Sequence, residues 1–167
     1  MTDIIVPARL SDDEAVALVE LMFFAYRDFV ADPDALLEVL GFGRAHHRVL
    51  HFVGRDPGMT VAQLLDILRI TKQSLSRVLK DLLEKGYVYQ KAGDEDRRQR
   101  LLYLTDKGEA LWHDLITPQT KRFHRAVTDA VAGDGRTYRD LLLQLISPDN
   151  REAVEEWIAR VNAAKSQ

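Results

Sequence analysis

Lys72, Gln73, Ser76, Arg77 and Lys80 share one face of a stretch whose apolar residues, Leu75, Val78, Leu79, Leu82 and Leu83, recur at i, i+3, i+4, i+7 and i+8. That face begins with cations, an amide and a hydroxyl, and its acids, Asp81 and Glu84, come only later. A helix of this kind can approach a phosphate-lined groove and present donors to it. Thr71 is placed to cap it, because a threonine hydroxyl accepts from a free amide of the first turn. Alone, the pattern also fits an ordinary solvated helix face. The neighbouring segments change that weighting.

Arg97, Arg98 and Arg100 form the second concentration of chemistry, three arginines in four positions. They follow Asp94, Glu95 and Asp96 in a charged segment between two short runs of aromatic and apolar residues, Tyr87 to Lys91 and Leu101 to Leu104. Those runs read as strands and the segment between them as the tip of a hairpin. From Thr71 to Lys107, nine bases face six acids, a surplus of +3 inside a chain of net charge -3. An acidic body with one basic segment suits a local phosphate-facing surface.

Other chemistries are poorly served. The chain has no cysteine, which removes disulfides, thiolate metal ligands and thiol catalysis together. His47 and His51 stand one helical turn apart beside His46, but Arg44 and Arg48 flank them and would repel a cation. These imidazoles are expected to pack or hydrogen-bond at a helix junction, with no metal and no cofactor. There is no glycine-rich phosphate loop, nucleophile elbow or carboxylate pair beside a base, so an enzyme is not expected.

The positioning elements are mostly helices. Ser11-Asp12-Asp13-Glu14 is a capping box, opening a helix expected to run to about Val30. The apolar residues around Leu21 to Tyr26 spread beyond one stripe, which predicts cover from a second subunit. Asp32-Pro33 predicts a separate short helix through Leu40, with Asp as cap and Pro in the first turn, and Gly41-Phe42-Gly43 interrupts it. A helix from Arg44 to Gly54 and the turn Asp56-Pro57-Gly58 precede a second capping box, Thr60-Val61-Ala62-Gln63. Its helix, linked tightly through Arg69-Ile70 to the opening stretch, makes a helix-turn-helix, and the hairpin behind it is a wing. A helix from about Asp106 to Ala132 follows, with Gly133-Asp134-Gly135 ending it and Thr117-Pro118 as a candidate kink. Tyr138, Leu141, Leu142, Leu145 and Ile146 mark another helix, and Ser147-Pro148 starts the last one, with Val154, Trp157, Ile158 and Val161 inward. No apolar run approaches the ~18 residues of a membrane helix, and Met1-Thr2-Asp3-Ile4 is no leader, so the expected location is the cytoplasm.

In this order and spacing the segments resemble the MarR family of winged helix-turn-helix transcription regulators. The likeness covers about Gly43 to Leu111. It rests on Met59-Thr60-Val61-Ala62-Gln63-Leu64-Leu65, Ile70-Thr71-Lys72-Gln73-Ser74-Leu75-Ser76-Arg77 and Leu82-Leu83-Glu84-Lys85-Gly86-Tyr87-Val88. The wing and its exit, Asp94-Glu95-Asp96-Arg97-Arg98 and Leu104-Thr105-Asp106-Lys107-Gly108, are its most specific parts.

The resemblance implies a mainly α fold with a small β-hairpin wing, flanked by N- and C-terminal dimerisation helices. Residues 1-42 and 109-167 would dimerise and 43-108 would bind DNA. A homodimer would occupy a pseudo-palindromic site on double-stranded promoter DNA, most commonly as a repressor, and respond to a small-molecule effector. Lys72, Gln73, Ser76 and Arg77 become base- or phosphate-facing candidates, Gln73 suited to adenine and Arg77 to guanine or phosphate. Thr71, Ser74 and Lys80 would hold the backbone. Arg97, Arg98 and Arg100 would reach the DNA from the wing, Arg97 into a narrow minor groove, with Asp96 orienting the Arg98 guanidinium. Tyr26, Phe29, Trp112 and Trp157 could line the effector pocket. The alternative is a winged-helix module that meets protein or RNA without reading duplex sequence.

Overall fold

The computed structural model describes residues 10–93, 96–129 and 135–165. Asp94 and Glu95 of the expected hairpin tip, Ala132, Gly133 and Asp134 at the expected end of the long helix, and Met1 to Ile4 lie outside them. In chain order the elements are α1 (Asp12–Val39), α2 (Arg44–Arg55), β1 (Met59–Thr60), α3 (Val61–Leu68), α4 (Lys72–Glu84), β2 (Val88–Ala92), β3 (Arg100–Leu104), α5 (Asp106–Asp129), α6 (Arg136–Leu145) and α7 (Pro148–Lys165). The fold is mainly helical, with one small antiparallel sheet in the order β1-β3-β2. β1 was not anticipated, since two residues carry no readable period; it pairs Met59 with Leu102 and adds a third strand to the wing.

Both capping boxes form as read. The Ser11 hydroxyl accepts from the Glu14 amide at 3.3 Å while Glu14 accepts from the Ser11 amide at 2.8 Å. Thr60 and Gln63 do the same at 3.2 and 2.8 Å. The core lies where α2, α3, α4, β3 and α5 meet, with Val49, Leu50, Leu64, Leu82, Leu102 and Leu115 wholly shielded. These are inward positions of the amphipathic helices and, for Leu102, of the central strand, so hydrophobic burial assembles this part of the chain.

The first helix departs from expectation. It does not stop at Val30 with a new helix starting at Asp32-Pro33; α1 is a single helix of 28 residues with Pro33 inside it. A mid-helix proline has no N–H for the carbonyl four residues earlier, here Phe29. Gln119 of α5, only 5% exposed, donates its side-chain amide to that carbonyl at 3.3 Å. A partner from another helix thus replaces the missing backbone bond and lets α1 continue. Pro118 likewise lies within a continuous α5.

The C-terminal helices also differ in detail. In α6 the buried residue is Leu143, whereas Tyr138, Leu141 and Leu145, among the residues that mark the helix in the sequence, are exposed. In α7, Val161 is buried, and Val154, Trp157 and Ile158 are half-buried.

Candidate nucleic-acid interface

α4 is held by its own first turn. The Thr71 hydroxyl accepts from the Ser74 amide at 3.1 Å and donates to the Ser74 hydroxyl at 2.8 Å, so both side chains serve the cap. Leu75, Val78, Leu79 and Leu82 are buried, which leaves Lys72, Gln73, Ser76, Arg77 and Lys80 on the exposed side. The acids of the helix are each engaged. Asp81 turns toward α2, where its carboxylate lies 3.2 Å from Nε2 of His46, and Glu84 pairs with Lys80 at 3.7 Å.

His46 belongs to a joint. Its Nδ1 accepts from the Gly43 amide at 3.1 Å, so Nε2 must carry the hydrogen that Asp81 receives. The ring stacks on Phe42 at 4.6 Å, and Phe42 meets Tyr87 edge-on at 5.3 Å. His46 thus fulfils the packing and hydrogen-bonding role read from the sequence. His47 is partly buried, and that burial pushes its imidazole pKa down, opposed by the charge of Asp34. Among the described residues no group of three metal-ligating side chains gathers.

The exit of α4 explains the Lys85-Gly86-Tyr87 and Thr105-Asp106-Lys107-Gly108 segments. Gly86 turns the chain at φ +71°, a conformation that glycine adopts without a Cβ clash. The Thr105 hydroxyl donates to the Gly86 carbonyl at 2.7 Å and accepts from the Gly108 amide at 3.1 Å, capping α5. Lys107 donates to the Lys85 carbonyl at 2.9 Å and lies 4.1 Å over the Tyr87 ring. Lys85 does the equivalent toward α1, donating to the Leu40 carbonyl at 2.9 Å over the Phe42 ring. A methyl at position 108 would collide with the Tyr87 carbonyl oxygen, so only glycine lets α5 start this close to the wing. These motif residues join α1, α4, β2 and α5 into one unit.

In the wing, Tyr89 and Tyr103 are cross-strand partners with rings 5.4 Å apart. At its tip the Asp96 carboxylate accepts from the Arg98 backbone amide at 2.9 Å. Asp96 therefore shapes the turn; among the described residues no ion pair joins it to the Arg98 guanidinium, as had been expected. Arg97, Arg98 and Arg100 are exposed. Lys91, one of the nine bases but not among the candidate DNA contacts, lies 5.6 and 5.0 Å from the Tyr89 and Tyr103 ring centres, and its alternation with Tyr87 and Tyr89 is the signal the sequence offers for it. The four aromatics considered for a pocket go to separate contacts. Trp112 is in the core, Trp157 packs on Phe52 at 5.3 Å, Phe29 on Phe123 at 5.5 Å, and Tyr26 lies under Arg44.

A helix-turn-helix whose second helix leads through a tight joint into a β-hairpin is the winged helix-turn-helix arrangement. Comparison with known proteins narrows this. A model of the MarR family matches residues 40–99. The HTH-type transcriptional regulator PetP of Rhodobacter capsulatus is 43% identical over 146 residues, covering 85% of this chain and 86% of that protein. The transcriptional activatory protein BadR of Rhodopseudomonas palustris is 27% identical over 108 residues, 64% of this chain and 61% of its own. Among solved structures, a mutant MarR from E. coli complexed with operator DNA superposes with a TM-score of 0.60 at 22% identity, over 83% of this chain and 100% of that one. The chain belongs to the MarR family of transcriptional regulators. It is therefore a DNA-binding regulator and not an enzyme. No helix among the described residues is long and apolar enough to cross a membrane.

Proposed function

We propose that the protein works as a homodimer that lays two copies of α4 in successive major grooves of a pseudo-palindromic promoter site, with half-sites about one helical turn, ~10 bp, apart. In this reading Lys72, Gln73, Ser76 and Arg77 face the groove, Thr71, Ser74 and Lys80 lie along the backbone, and Arg97, Arg98 and Arg100 follow the wing to the adjacent minor groove. Residues 43-108 form the DNA-binding part, and 1-42 with 109-167 the dimerising part.

The observation that carries the reading is the sorting of charge on α4. Asp81 is drawn inward by His46 and Glu84 is paired by Lys80, so the exposed start of the helix offers donors without an opposing free acid. Dimerisation is supported by the apolar surface left on the flanking helices. Leu21 is 61% and Phe23 70% exposed on α1, and Tyr138, Leu141 and Leu145 are exposed on α6. Apolar side chains this exposed, several on each helix, call for a covering partner. For an effector, the groove lined by Asp32, Pro118, Lys121, Arg122 and Arg125 is cationic, so it favours a small anion.

Selection of bound fragments from the source genome, followed by footprinting, tests the assignment. Protection of two half-sites about one turn apart by a species of twice the chain mass is the expected result. Equal retention of all duplexes, or sequence preference in RNA alone, overturns it.

A further inference from the structure

The last helix returns to the helix-turn-helix. Arg69, the C-cap of α3, has φ +49° and ψ +42°, and it is the one non-glycine residue with positive φ among the described residues. Glycine would occupy this left-handed position without strain, yet the chain has arginine there. Its guanidinium donates to Oδ1 of Asn150, in the first turn of α7, at 2.5 Å. Farther along α7, Arg160 grips Asp56 with two bonds of 2.8 and 2.7 Å. Trp157 packs between these points on Phe52 of α2. Arg151 donates to the carbonyls of Leu143 and Ile146, tying α7 to the end of α6. α7 is thus bonded at one end to the turn before the recognition helix and at the other to the turn after α2. Its attachment to α6 connects it to the apolar face that the proposed dimer would bury.

We propose that α7 is a strap that sets the angle at which α4 leaves α3, with Arg69 and Asn150 as positioning residues for DNA binding. The backbone torsions at Arg69, two residues before the Thr71 cap, determine the direction of α4. Anchoring its side chain to a separate helix restricts rotation about those torsions. In the two-fold complex, any rotation would be repeated at both half-sites and carry both recognition helices out of register with the grooves. The inference rests on the reading of α4 as the DNA-contacting helix.

The test uses the full chain and a labelled duplex recovered by the wild-type protein from a random pool. Arg69→Gly removes the tether but relieves the left-handed strain, so its melting temperature should stay within ~2 °C of wild type. Arg69→Gly and Asn150→Ala should each weaken binding about five- to tenfold, and the double variant no further. Asn150→Asp, which keeps an acceptor for the guanidinium, should restore wild-type affinity. The slope of log K against log salt should be unchanged in every variant, since no phosphate contact is lost. Wild-type affinity in Asn150→Ala overturns the strap. So does a loss confined to Arg69→Gly with the slope reduced by about one, which would make Arg69 a phosphate contact. If the wild-type chain retains no duplex at all, both the strap and the DNA reading fail; if it binds and Asn150→Ala binds equally, only the strap does.

Discussion

Gln73 and Arg97 are asked to do different work, and equilibrium affinities can tell them apart. A side-chain amide on α4 can form a bidentate pair with one adenine, whereas an arginine at the wing tip responds to groove width and phosphate charge. Gln73→Ala should therefore lose about 1–3 kcal/mol on sites with the preferred base and nothing on sites already mutated there. Arg97→Ala should weaken binding to every duplex similarly and lower the salt slope by about one. Titrations of both variants against a panel of single-base operator changes, at several salt concentrations, check the two together. Identical profiles would remove the assignment of Gln73 as a base reader. The candidate face was readable in the sequence because helical period sorts side chains by position alone. The fate of its acids was not. Asp81 looks like a polar-face residue by spacing, and only the joint at Phe42 and Gly43 reveals that His46 claims it.

At the scale of elements, the capping boxes and the ends of α3 and α4 were legible because their hydrogen bonds span three or four residues. α1 runs past the boundary that Asp32-Pro33 suggests, because the bond its proline lacks is replaced by Gln119, 90 positions from Phe29. Replacing Gln119 with leucine keeps the bulk but leaves the Phe29 carbonyl without its donor in a buried site. The expected cost is ~1–3 kcal/mol of stability, read as a lower midpoint in urea with an unchanged m-value. Stability equal to wild type would mean that the carbonyl finds another donor. The docking of α7 was equally hidden, since Arg160 and Asp56 are 104 positions apart. The bidentate Arg160 guanidinium holds the Asp56 carboxyl below its ordinary value. The folded chain therefore releases this proton more readily than the unfolded one, and the pair contributes stability throughout neutral pH. That contribution should shrink as pH falls below ~4 and vanish once pH has passed the folded value. Thermal melts from pH 7 to pH 3 should show a shallower acid limb in Arg160→Met than in wild type.

For the molecule as a whole, the question is what covers α1. Its first half carries apolar side chains around most of its circumference, and a helix of that kind is stable in water only when other helices surround it. Phe23 is 70% exposed and is not one of the buried residues that form the core around α2 to α5. A charge placed at this position should leave that half folded while opposing subunit association. Phe23→Asp is expected to sediment as a monomer at concentrations where the wild-type chain forms the proposed dimer. If the dimer is the folded reference state, the wild-type melting temperature should rise with protein concentration, and the variant's should not. The consequence for DNA follows from symmetry. One α4 has access to half the site, so the variant should bind a full site no better than a half-site, and its salt slope should fall to about half. A wild-type chain that sediments as a monomer and still protects two half-sites would separate operator recognition from the apolar face of α1. The exposed leucines and phenylalanines would then need a different partner.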